Sequence, residues 1–380
     1  MKILQVIPYF TPRRGGDVHI CYSISRLLAE QGHDVTVITT DFEFDREYAK
    51  TLEILGVKII PFNCIYNLRL FLISPGMCWW LKNQLEDFDL IHLHDLRSFQ
   101  NAVIHYYAQK YNVPYILHPH GSTSRRIEKL KLKLLFDQII GYKILRDARR
   151  VIAVSEEEAE YDRQMGANFQ KVAVIYNGMD VSLFRDLPEY GKFRKKFNIN
   201  GKMILYLGRI HKSKGIRFLI EAFSIASKKV KDSYLVIAGP DDGYKCEIDL
   251  LVNSLNLNDN VIITGFLDEK SKISAYVDAD LFVSPVKYMG GVGLTPLEAI
   301  LCGTPAIVTD ECGEIFKKAN AGCLVCYNDL NELSKTMEHM LEMPDEAIQN
   351  VSRIKDYIDT HLTNDKFIGK ILIEYSKALS

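Results

Sequence analysis

Unbroken runs of five or six apolar residues are the feature of this sequence that most constrains its fold. In the first half of the chain they are KILQVI (2–7), VTVIT (35–39), LIHLH (90–94), YILHPH (115–120), VIAVS (151–155) and VAVIYN (172–177). A strand with one face in water alternates apolar and polar residues, whereas these runs need cover on both faces. Amphipathic segments such as YSISRLLAEQG (22–32) can supply that cover as helices. The pattern predicts a parallel sheet with helices on both sides.

The same alternation starts again after residue 200. The second set of runs is MILYLGR (203–209), YLVIAGP (234–240), VIITGF (261–266), LFVSP (281–285) and PAIVTD (305–310). A length of 380 residues also suits two domains. We therefore predict an α/β fold of two doubly wound, Rossmann-like domains with a cleft between them. The predicted bounds are a first domain at 1–185, a polar linker at 186–202, a second domain at 203–355, and a helix at 356–380 that can pack back on the first domain.

Charge and termini exclude several classes of function. Lysine and arginine number 47 against 48 aspartates and glutamates, so nucleic acid is not an expected partner. Pro8 interrupts the first apolar run too early for a signal peptide, and no run of eighteen apolar residues occurs. We expect a cytoplasmic protein whose eight scattered cysteines are reduced thiols.

Two short motifs resemble metal-ligand spacing, but neither has the partners that a metal site needs. Cys323 and Cys326 form one CxxC without a second pair at zinc-ribbon spacing. His92 and His94 precede Asp95, and we expect the two imidazoles to lie on opposite faces of the sheet. The sequence therefore predicts no bound metal.

Residues just after each strand are the first candidates for a binding site, because ligands of open α/β sheets bind at the carboxyl ends of the strands. After the first strand, Gly15 and Gly16 precede a helix, whose free amides favour an anion. A flexible glycine loop is the alternative, and the absence of GxGxxG argues against a nicotinamide cofactor. After the fourth strand, His120 precedes Gly121. That imidazole either contacts a ligand or is a core histidine bonded to backbone.

In the second domain, two cations flank the turn after its first strand. Arg209 and Lys214 suit a diphosphate, because arginine binds oxygens bidentately and lysine adds a mobile charge. Two solvated loop cations are the alternative. The sequence therefore predicts no bound cofactor.

The stretch GGVGLTPLEA (290–299) carries three glycines ahead of a helix. Its free amides can meet an anion. Thr295, Pro296 and Glu298 also match a capping box, in which the glutamate bonds back to the Thr295 amide. Whether Glu298 caps the helix or faces a ligand stays open from the residues alone.

Taken in order, these motifs resemble one known family. GG after strand one, HG after strand four, VIYNGMDVSLF (174–184), LGRIHKSKG (207–215) and GLTPLEAILCGTPAIVTD (293–310) resemble the family 4 glycosyltransferases, retaining enzymes of the GT-B architecture. The resemblance spans nearly the whole chain. It implies transfer of a hexose-type sugar from a UDP- or GDP-sugar, without a metal ion, with the first domain on the acceptor side and the second binding the nucleotide sugar.

The resemblance also assigns roles to individual residues. Arg209 and Lys214 would neutralise the departing diphosphate, and His120 would lie beside the donor sugar. Glu298 would hold the ribose hydroxyls. The remaining donor-binding positions, which would contribute backbone, are Gly15, Gly16, Gly265, Phe266, Leu267, Gly291, Val292, Gly293, Leu294 and Thr295.

One position departs from the family pattern. The family usually carries a second glutamate eight residues before Glu298, and here that position is Gly290. The departure leaves the donor sugar open. One alternative is a subunit that binds the sugar nucleotide without turnover. A second is a sugar-nucleotide epimerase, but such an enzyme needs acidic groups around the sugar ring, so the missing carboxylate argues against it.

The segment from 125 to 150 combines charge with apolar side chains. Nine basic and three acidic residues surround leucines and isoleucines there, which suits a helix on an anionic membrane surface. A core-packed helix with a solvated basic face is the alternative. A second apolar stretch, 64–81, has both tryptophans. The family resemblance makes a glycan or lipid-linked acceptor plausible, with the protein peripheral on the inner membrane face.

Overall fold

A computed structural model describes residues 1–68, 71–124, 130–286 and 293–380, with the backbone only at 344–346. The chain forms two compact units. Unit 1 comprises Met1–Gly178 and Asn364–Ser380, and unit 2 comprises Met179–Thr363.

Unit 1 is built on a seven-stranded sheet in the order β3-β2-β1-β6-β7-β8-β9. All of its neighbouring strands pair in parallel. The strands are β1 (Lys2–Val6), β2 (Asp34–Thr40), β3 (Lys58–Phe62), β4 (Tyr66–Asn67), β5 (Leu72–Ile73), β6 (Leu90–His94), β7 (Tyr115–His118), β8 (Arg150–Ala153) and β9 (Val172–Val174), of which β4 and β5 form a separate antiparallel pair. The helices are α1 (Gly16–Glu30), α2 (Arg46–Glu53), α3 (Gly76–Gln84), α4 (Phe99–Tyr111), α5 (Leu130–Phe136), α6 (Tyr142–Asp147) and α7 (Glu156–Gln164).

Unit 2 repeats the architecture with six parallel strands in the order β12-β11-β10-β13-β14-β15. The strands are β10 (Lys202–Leu207), β11 (Ser233–Ala238), β12 (Val261–Gly265), β13 (Leu281–Ser284), β14 (Ala306–Thr309) and β15 (Cys323–Val325). Its helices are α8 (Lys192–Phe197), α9 (Ile216–Ala226), α10 (Lys245–Ser254), α11 (Glu269–Asp278), α12 (Leu294–Leu301), α13 (Glu314–Lys318), α14 (Leu330–Glu342) and α15 (Pro344–His361). The two sheets confirm the predicted doubly wound α/β fold.

Central strands are buried along nearly their whole length, as the apolar runs predicted. In β1, four of the five residues are buried, and all five residues of β6 are. Helices on both faces exclude water from both sides of a strand, so no polar alternation is needed. Each unit has its own hydrophobic cluster.

The units divide at different residues from those predicted. The predicted linker, 186–202, contains α8 and belongs to unit 2. There the buried Asp278 carboxylate accepts hydrogen bonds from the backbone N–H groups of Gly191, Phe193 and Arg194 at 2.5 to 2.9 Å. A sequence pattern shows the polar character of this segment but not the carboxylate that fixes it.

The C-terminal helix, α16 (Asn364–Leu379), is part of unit 1. It packs against β6, β7, β8 and α1. Two of its side chains are tied to the sheet region, because Glu374 pairs with Arg150 and Tyr375 contacts Gln5. The helix begins at Asn364 and not at the predicted 356, since α15 occupies the chain up to His361.

Candidate functional site

Each sheet has one point where the strand order reverses. In unit 1 the reversal lies between β1 and β6, and in unit 2 it lies between β10 and β13. At such a point the two following loops diverge to opposite faces and leave a crevice at the carboxyl ends of the strands. Most of the residues singled out in the sequence follow β1, β7, β10, β12 or β13, so they lie at these ends.

At the reversal in unit 1, the loop after β1 leads into α1. Gly15 is the N-cap of that helix, with φ of 134°, and no side chain of the described residues caps it. A Cβ atom placed on Gly16 would meet nothing within 4 Å. The protein's own packing therefore does not require glycine at position 16, and the start of a helix is a place that suits an approaching anion.

Four histidines line the neighbouring strand ends, and the prediction that His92 and His94 lie on opposite faces is wrong. Residues two apart on a strand point to the same side, and these two rings stack with centroids 4.5 Å apart. His118 of β7 is the register partner of His94, and its ring lies 3.9 Å from that of His120. We call His92, His94, His118 and His120 the histidine array.

The array offers nitrogen atoms for a metal, but its geometry favours stacking. Ring nitrogens of His92, His94 and His118 lie within 4.8 Å of one another. The rings are close to parallel, at 9° to 29°, and an imidazole lone pair lies in the ring plane, so the three do not aim at a common point. Ligation would also take His94 from its bonds to Gln5 and His120, both 2.8 Å long.

His120 lies in the turn after β7, in the left-handed region with φ of 54°. Its Nε2 is 2.8 Å from Nδ1 of His94. Burial of the ring lowers the pKa of His120 to about 3, so the imidazole is neutral at physiological pH. A neutral imidazole with one nitrogen committed can still hydrogen-bond a ligand hydroxyl.

Sequence reasoning missed the residue that anchors this turn. The carboxylate of Glu158, in α7, accepts hydrogen bonds from the backbone N–H of Gly121 and, at 2.8 Å, from that of Val154. It thereby joins the turn of His120 to the end of β8. The signal was present, because Ser155 and Glu158 have capping-box spacing and Ser155 does accept from the Glu158 amide at 3.0 Å.

At the reversal in unit 2, Arg209 follows β10. Its Nη1 donates to Asp242 at 2.5 Å, and its side chain is 38% exposed. Lys214 ends a short 3₁₀ turn, and the next residue, Gly215, has φ of 70°. A Cβ on Gly215 would lie 1.7 Å from the Pro285 carbonyl oxygen, so the loops after β10 and β13 touch at this glycine. Asp242 was not predicted.

Glu298 is nearly buried in α12 and has two partners from α11. Its Oε1 lies 3.1 Å from Nζ of Lys272, and its Oε2 accepts from the Tyr276 hydroxyl at 2.8 Å. The capping-box reading of Glu298 is wrong, because α12 starts at Leu294 with Gly293 as N-cap, and no side chain in the described part of the chain caps it. Glu298 is the fifth residue of α12, whereas the glutamate of a capping box is the third, so its side chain does not reach the N-cap amide.

Both partners of Glu298 have shifted pKa values. Burial lowers the pKa of Lys272, but the Glu298 and Glu269 carboxylates outweigh burial and leave it raised. Burial and then the Glu298 carboxylate raise the pKa of Tyr276 well above its usual range. The pair is therefore an ammonium and a neutral phenol that orient one carboxylate. Lys272 and Tyr276 are one helical turn apart, and no local pattern links them to residue 298.

The remaining donor-binding positions fall partly outside the described residues. Gly265 ends β12 with φ of 74°, and Phe266 beyond it is 46% exposed. Leu267 follows, and Gly293, Leu294 and Thr295 form the start of α12, where no described side chain caps the amides. Gly290, Gly291 and Val292 lie outside the described residues.

Residues 125–129 of the basic segment lie outside the described residues, and from residue 130 onward the segment packs into the core through Phe136, Ile144 and Leu145 but also exposes apolar side chains. Around α5, the residues Leu130, Leu132, Leu135 and Ile139 are 51 to 62% exposed. The second apolar stretch contributes Ile65, Tyr66, Leu68 and Trp79, which are 58 to 73% exposed. Phe71 and Phe136 contact each other with ring centroids 5.3 Å apart, so the two stretches adjoin. We call these eight exposed residues the apolar patch. Within the described part of the chain, no helix has the length and apolar composition to cross a bilayer.

The two doubly wound units match the architecture of the GT-B class of glycosyltransferase folds. The family described as Glycosyltransferase Family 4 matches residues 14–183, and the family described as Glycosyl transferases group 1 matches residues 190–357. The chain therefore belongs to the family 4, group 1 glycosyltransferases.

Individual relatives agree with that membership. An uncharacterized glycosyltransferase of Methanocaldococcus jannaschii is 23% identical over 359 residues, which covers 90% of each chain. The phosphatidyl-myo-inositol mannosyltransferase of Mycolicibacterium smegmatis is 24% identical over 353 residues, 90% of this chain and 85% of its own. Among solved structures, Anabaena HepE in complex with UDP and glucose has a TM-score of 0.84 at 19% identity and covers 99% of both chains.

Proposed function

We propose that this protein is a retaining hexosyltransferase that moves a sugar from a UDP- or GDP-sugar to a glycan or lipid-linked acceptor. The observation that carries the proposal is the reversal point of unit 2. There an exposed arginine follows β10, and α12 follows β13 with no side-chain cap among the described residues. An oriented carboxylate lies one turn further along α12. Cation, free amides and carboxylate match a diphosphate and a ribose.

The roles of the residues follow from the charge that develops in the reaction. Breaking the glycosidic bond puts negative charge on the departing diphosphate and positive charge on the sugar. Arg209, Lys214 and the amides at the start of α12 stabilise the diphosphate, and stabilise it most when it has left. These groups supply the charge that a metal ion would otherwise provide, so we propose that catalysis requires neither metal nor cofactor.

The other predicted residues bind the uncharged parts of the donor. Glu298, held by Lys272 and Tyr276, accepts hydrogen bonds from ribose hydroxyls. The exposed Phe266 and its neighbours receive the base. His120 lies beside the transferred sugar, and Gly15 and Gly16 allow close approach of the donor or acceptor. The glycine at 290 leaves the sugar without the usual carboxylate, which favours a donor sugar recognised mainly by uncharged groups.

The acceptor side is proposed from the apolar patch. Exposed leucines and tryptophan beside Lys131 and Lys143 suit the interface of an anionic bilayer. The name of the mycobacterial relative specifies a phosphatidyl lipid as its acceptor. We therefore propose a cytoplasmic protein that associates peripherally with the inner membrane face.

A donor screen tests the proposal. Purified protein is incubated with a panel of UDP- and GDP-sugars and a membrane extract, and nucleotide release and sugar incorporation are followed. Incorporation of sugar with the same anomeric configuration as in the donor supports the proposal. Nucleotide binding without release from any donor would show a binding subunit, and sugar isomers formed without acceptor would show an epimerase.

Vesicle flotation tests the membrane part separately. Binding should require anionic lipid and weaken with salt. Replacing Leu132 and Leu135 with serine should abolish flotation and spare nucleotide release in solution. Failure to float with anionic vesicles at low salt would remove the membrane from the proposal, and equal binding to neutral vesicles at high salt would remove the requirement for anionic lipid.

A further inference from the structure

An ion pair joins two neighbouring loops at the strand ends of unit 2. Nη1 of Arg209, which follows β10, donates to Oδ2 of Asp242, which follows β11, at 2.5 Å. Arg209 is 38% exposed and Asp242 is 36% exposed. Exposed pairs of this kind add little to stability, because both side chains lose freedom when the pair forms. The pair can nevertheless fix the orientation of the guanidinium.

The backbone on both sides of the pair is held in place. Beyond the ends of β10 and β11, the backbone N–H of Ile210 donates to the Pro240 carbonyl at 2.8 Å. The backbone N–H of Asp242 donates to the Ile210 carbonyl at 3.1 Å. The hydroxyl of the buried Tyr206 donates to the Arg209 carbonyl at 3.1 Å. The two loops therefore cannot slide past each other without breaking these bonds.

A second aspartate fixes the turn that contains Asp242. Oδ1 of Asp241 accepts from three backbone N–H groups at the start of α10, at 3.0 to 3.1 Å, those of Gly243, Tyr244 and Lys245. The bond from Lys245 is the largest of the effects that lower the pKa of the Asp241 carboxyl. The two adjacent carboxylates thus have different partners, since Asp241 binds the helix start and Asp242 binds Arg209.

The bond to Asp242 leaves most of the guanidinium donors unused. Arginine has five N–H groups in a planar fork. Nη1 lies on the side of Cδ, whereas Nε and Nη2 direct parallel N–H groups to the opposite side, where they can bind two oxygens of one phosphate. In the described part of the chain, neither Nε nor Nη2 of Arg209 has a partner. A carboxylate at Nη1 therefore holds the fork and leaves its bidentate edge open.

We propose that Asp242 is a positioning residue that holds Arg209 with its Nε–Nη2 edge free to bind the diphosphate of the donor. The ion pair is a property of this chain, whereas the diphosphate partner rests on the proposed function. A side chain that is already held loses less freedom when it binds a ligand, so the charged hydrogen bonds to the diphosphate are stronger.

Asp242→Ala removes the pair, and Glu221→Ala is its matched control. Glu221 forms a similar exposed pair with Arg217, 2.8 Å long, on α9. Both variants remove one carboxylate from the surface of unit 2 and free one arginine. Only Asp242→Ala frees Arg209.

Arginine-selective ¹⁵N relaxation measures the order of the Arg209 side chain directly. Arg209→Lys identifies the Nε–H signal of Arg209 among those of the other arginines. We expect the order parameter of this N–H group to fall in Asp242→Ala and to keep its wild-type value in Glu221→Ala. An unchanged order parameter in Asp242→Ala would overturn the proposal.

Turnover in a double-mutant cycle gives the second readout. With a donor identified, Asp242→Ala should lower kcat by roughly tenfold and leave KM within about twofold, since Arg209 acts most strongly on the departing diphosphate. In an Arg209→Ala background, the same change should alter kcat by less than about twofold, because Asp242 then has no guanidinium to hold. Glu221→Ala should keep kcat in both backgrounds.

Two kinetic results would contradict the role given to Asp242. A loss of kcat that persists in the Arg209→Ala background would show that Asp242 does not act through Arg209. Faster turnover in Asp242→Ala would show that its carboxylate competes with the diphosphate. A wild-type protein that binds neither UDP nor GDP would count instead against the proposed function, and the relaxation result would still decide whether Asp242 holds the guanidinium.

Discussion

The two units share one architecture but equip their strand ends with opposite kinds of polar group. Unit 1 presents stacked imidazoles, and burial lowers the pKa of each of them, so they are uncharged. Unit 2 presents Arg209, Lys272 and Glu298, each with an oppositely charged partner. Neutral groups can recognise hydroxyls without a counter-ion, while charges suit an anion. The difference indicates that one architecture can carry either neutral or charged groups at its strand ends.

The neutral half carries a cost in stability that the charged half avoids. Among the described residues, both nitrogens of His118 and Nε2 of His92 are buried without a hydrogen-bond partner. In unit 2, the nearly buried Glu298 and Lys272 satisfy each other. The test with the largest expected effect removes a charge from unit 2, and the test with the smallest adds a methyl group to a glycine of unit 1.

Arg209→Ala should have the largest effect. Losing a charged hydrogen bond to the departing diphosphate should lower turnover about 10²–10³-fold. Unfolding free energy should change by less than about 1 kcal/mol, because the pair with Asp242 is partly exposed. Arg217→Ala is the control, since Arg217 forms a similar exposed pair with Glu221. Donor turnover assays and denaturant titration measure both, and parallel losses in activity and stability would refute the phosphate role.

Lys272→Met should destabilise unit 2 by about 2–4 kcal/mol, since it leaves the Glu298 carboxylate nearly buried without its cation. The double variant Lys272→Met with Glu298→Gln should recover most of that loss while still binding nucleotide poorly. Lys229→Met is the control, because Lys229 pairs with Glu338 but is 63% exposed. Chemical denaturation measures each variant, and a double variant no more stable than the single one would contradict the pairing.

His118→Leu should stabilise unit 1 by about 1–2 kcal/mol at pH 7.5, because it removes a buried polar ring without partners among the described residues. The gain should grow by up to about 1.4 kcal/mol per pH unit as the pH falls below 6.5. Burial lowers the pKa of His118 well below 6.5, so only the unfolded chain takes up this proton.

The matched comparison is His105→Leu, which removes a histidine bonded to Asp147 at 2.9 Å. That variant should be less stable than wild type. Unfolding curves from pH 5 to 8 provide the measurement, and a pH-independent difference between His118→Leu and wild type would show that His118 is not held neutral.

Gly16→Ala should have the smallest effect. A Cβ there meets no protein atom within 4 Å, so stability should stay within about 0.5 kcal/mol of wild type. Turnover should fall about tenfold if substrate approaches this amide. Gly369→Ala, at another unobstructed glycine of unit 1, should leave turnover unchanged. Full activity in Gly16→Ala would remove the loop after β1 from the substrate site.

Much of the fold could be predicted from the sequence, because a strand buried in the centre of a sheet appears in the sequence as a run of apolar residues. Every run predicted as a strand is one. In the two parallel sheets, the strands that escaped prediction are β3 and β15, which lie at the edges of their sheets, and the two-residue strands β4 and β5 of the antiparallel pair also escaped it. Both β3 and β15 are partly exposed, and β3 also contains Pro61, which its edge position tolerates.

The site was predictable only where it depends on neighbours along the chain. Glycines and cations that follow apolar runs were predicted to lie in loops at the strand ends, and Gly15, Arg209 and Lys214 do lie there. The stacking of His92 on His94 also followed from the two-residue period of a strand, which our prediction misapplied. Contacts such as Lys272 with Glu298, or Gln5 with Tyr375, join distant segments, and no local pattern encodes them.

The place of α16 has a consequence for synthesis of the chain. This helix completes the first unit, yet it is encoded after the whole of the second. A growing chain can finish unit 2 before unit 1 acquires Glu374 and Tyr375. The nascent protein therefore lacks the bond between the Tyr375 hydroxyl and His92 of the histidine array until α16 has been made.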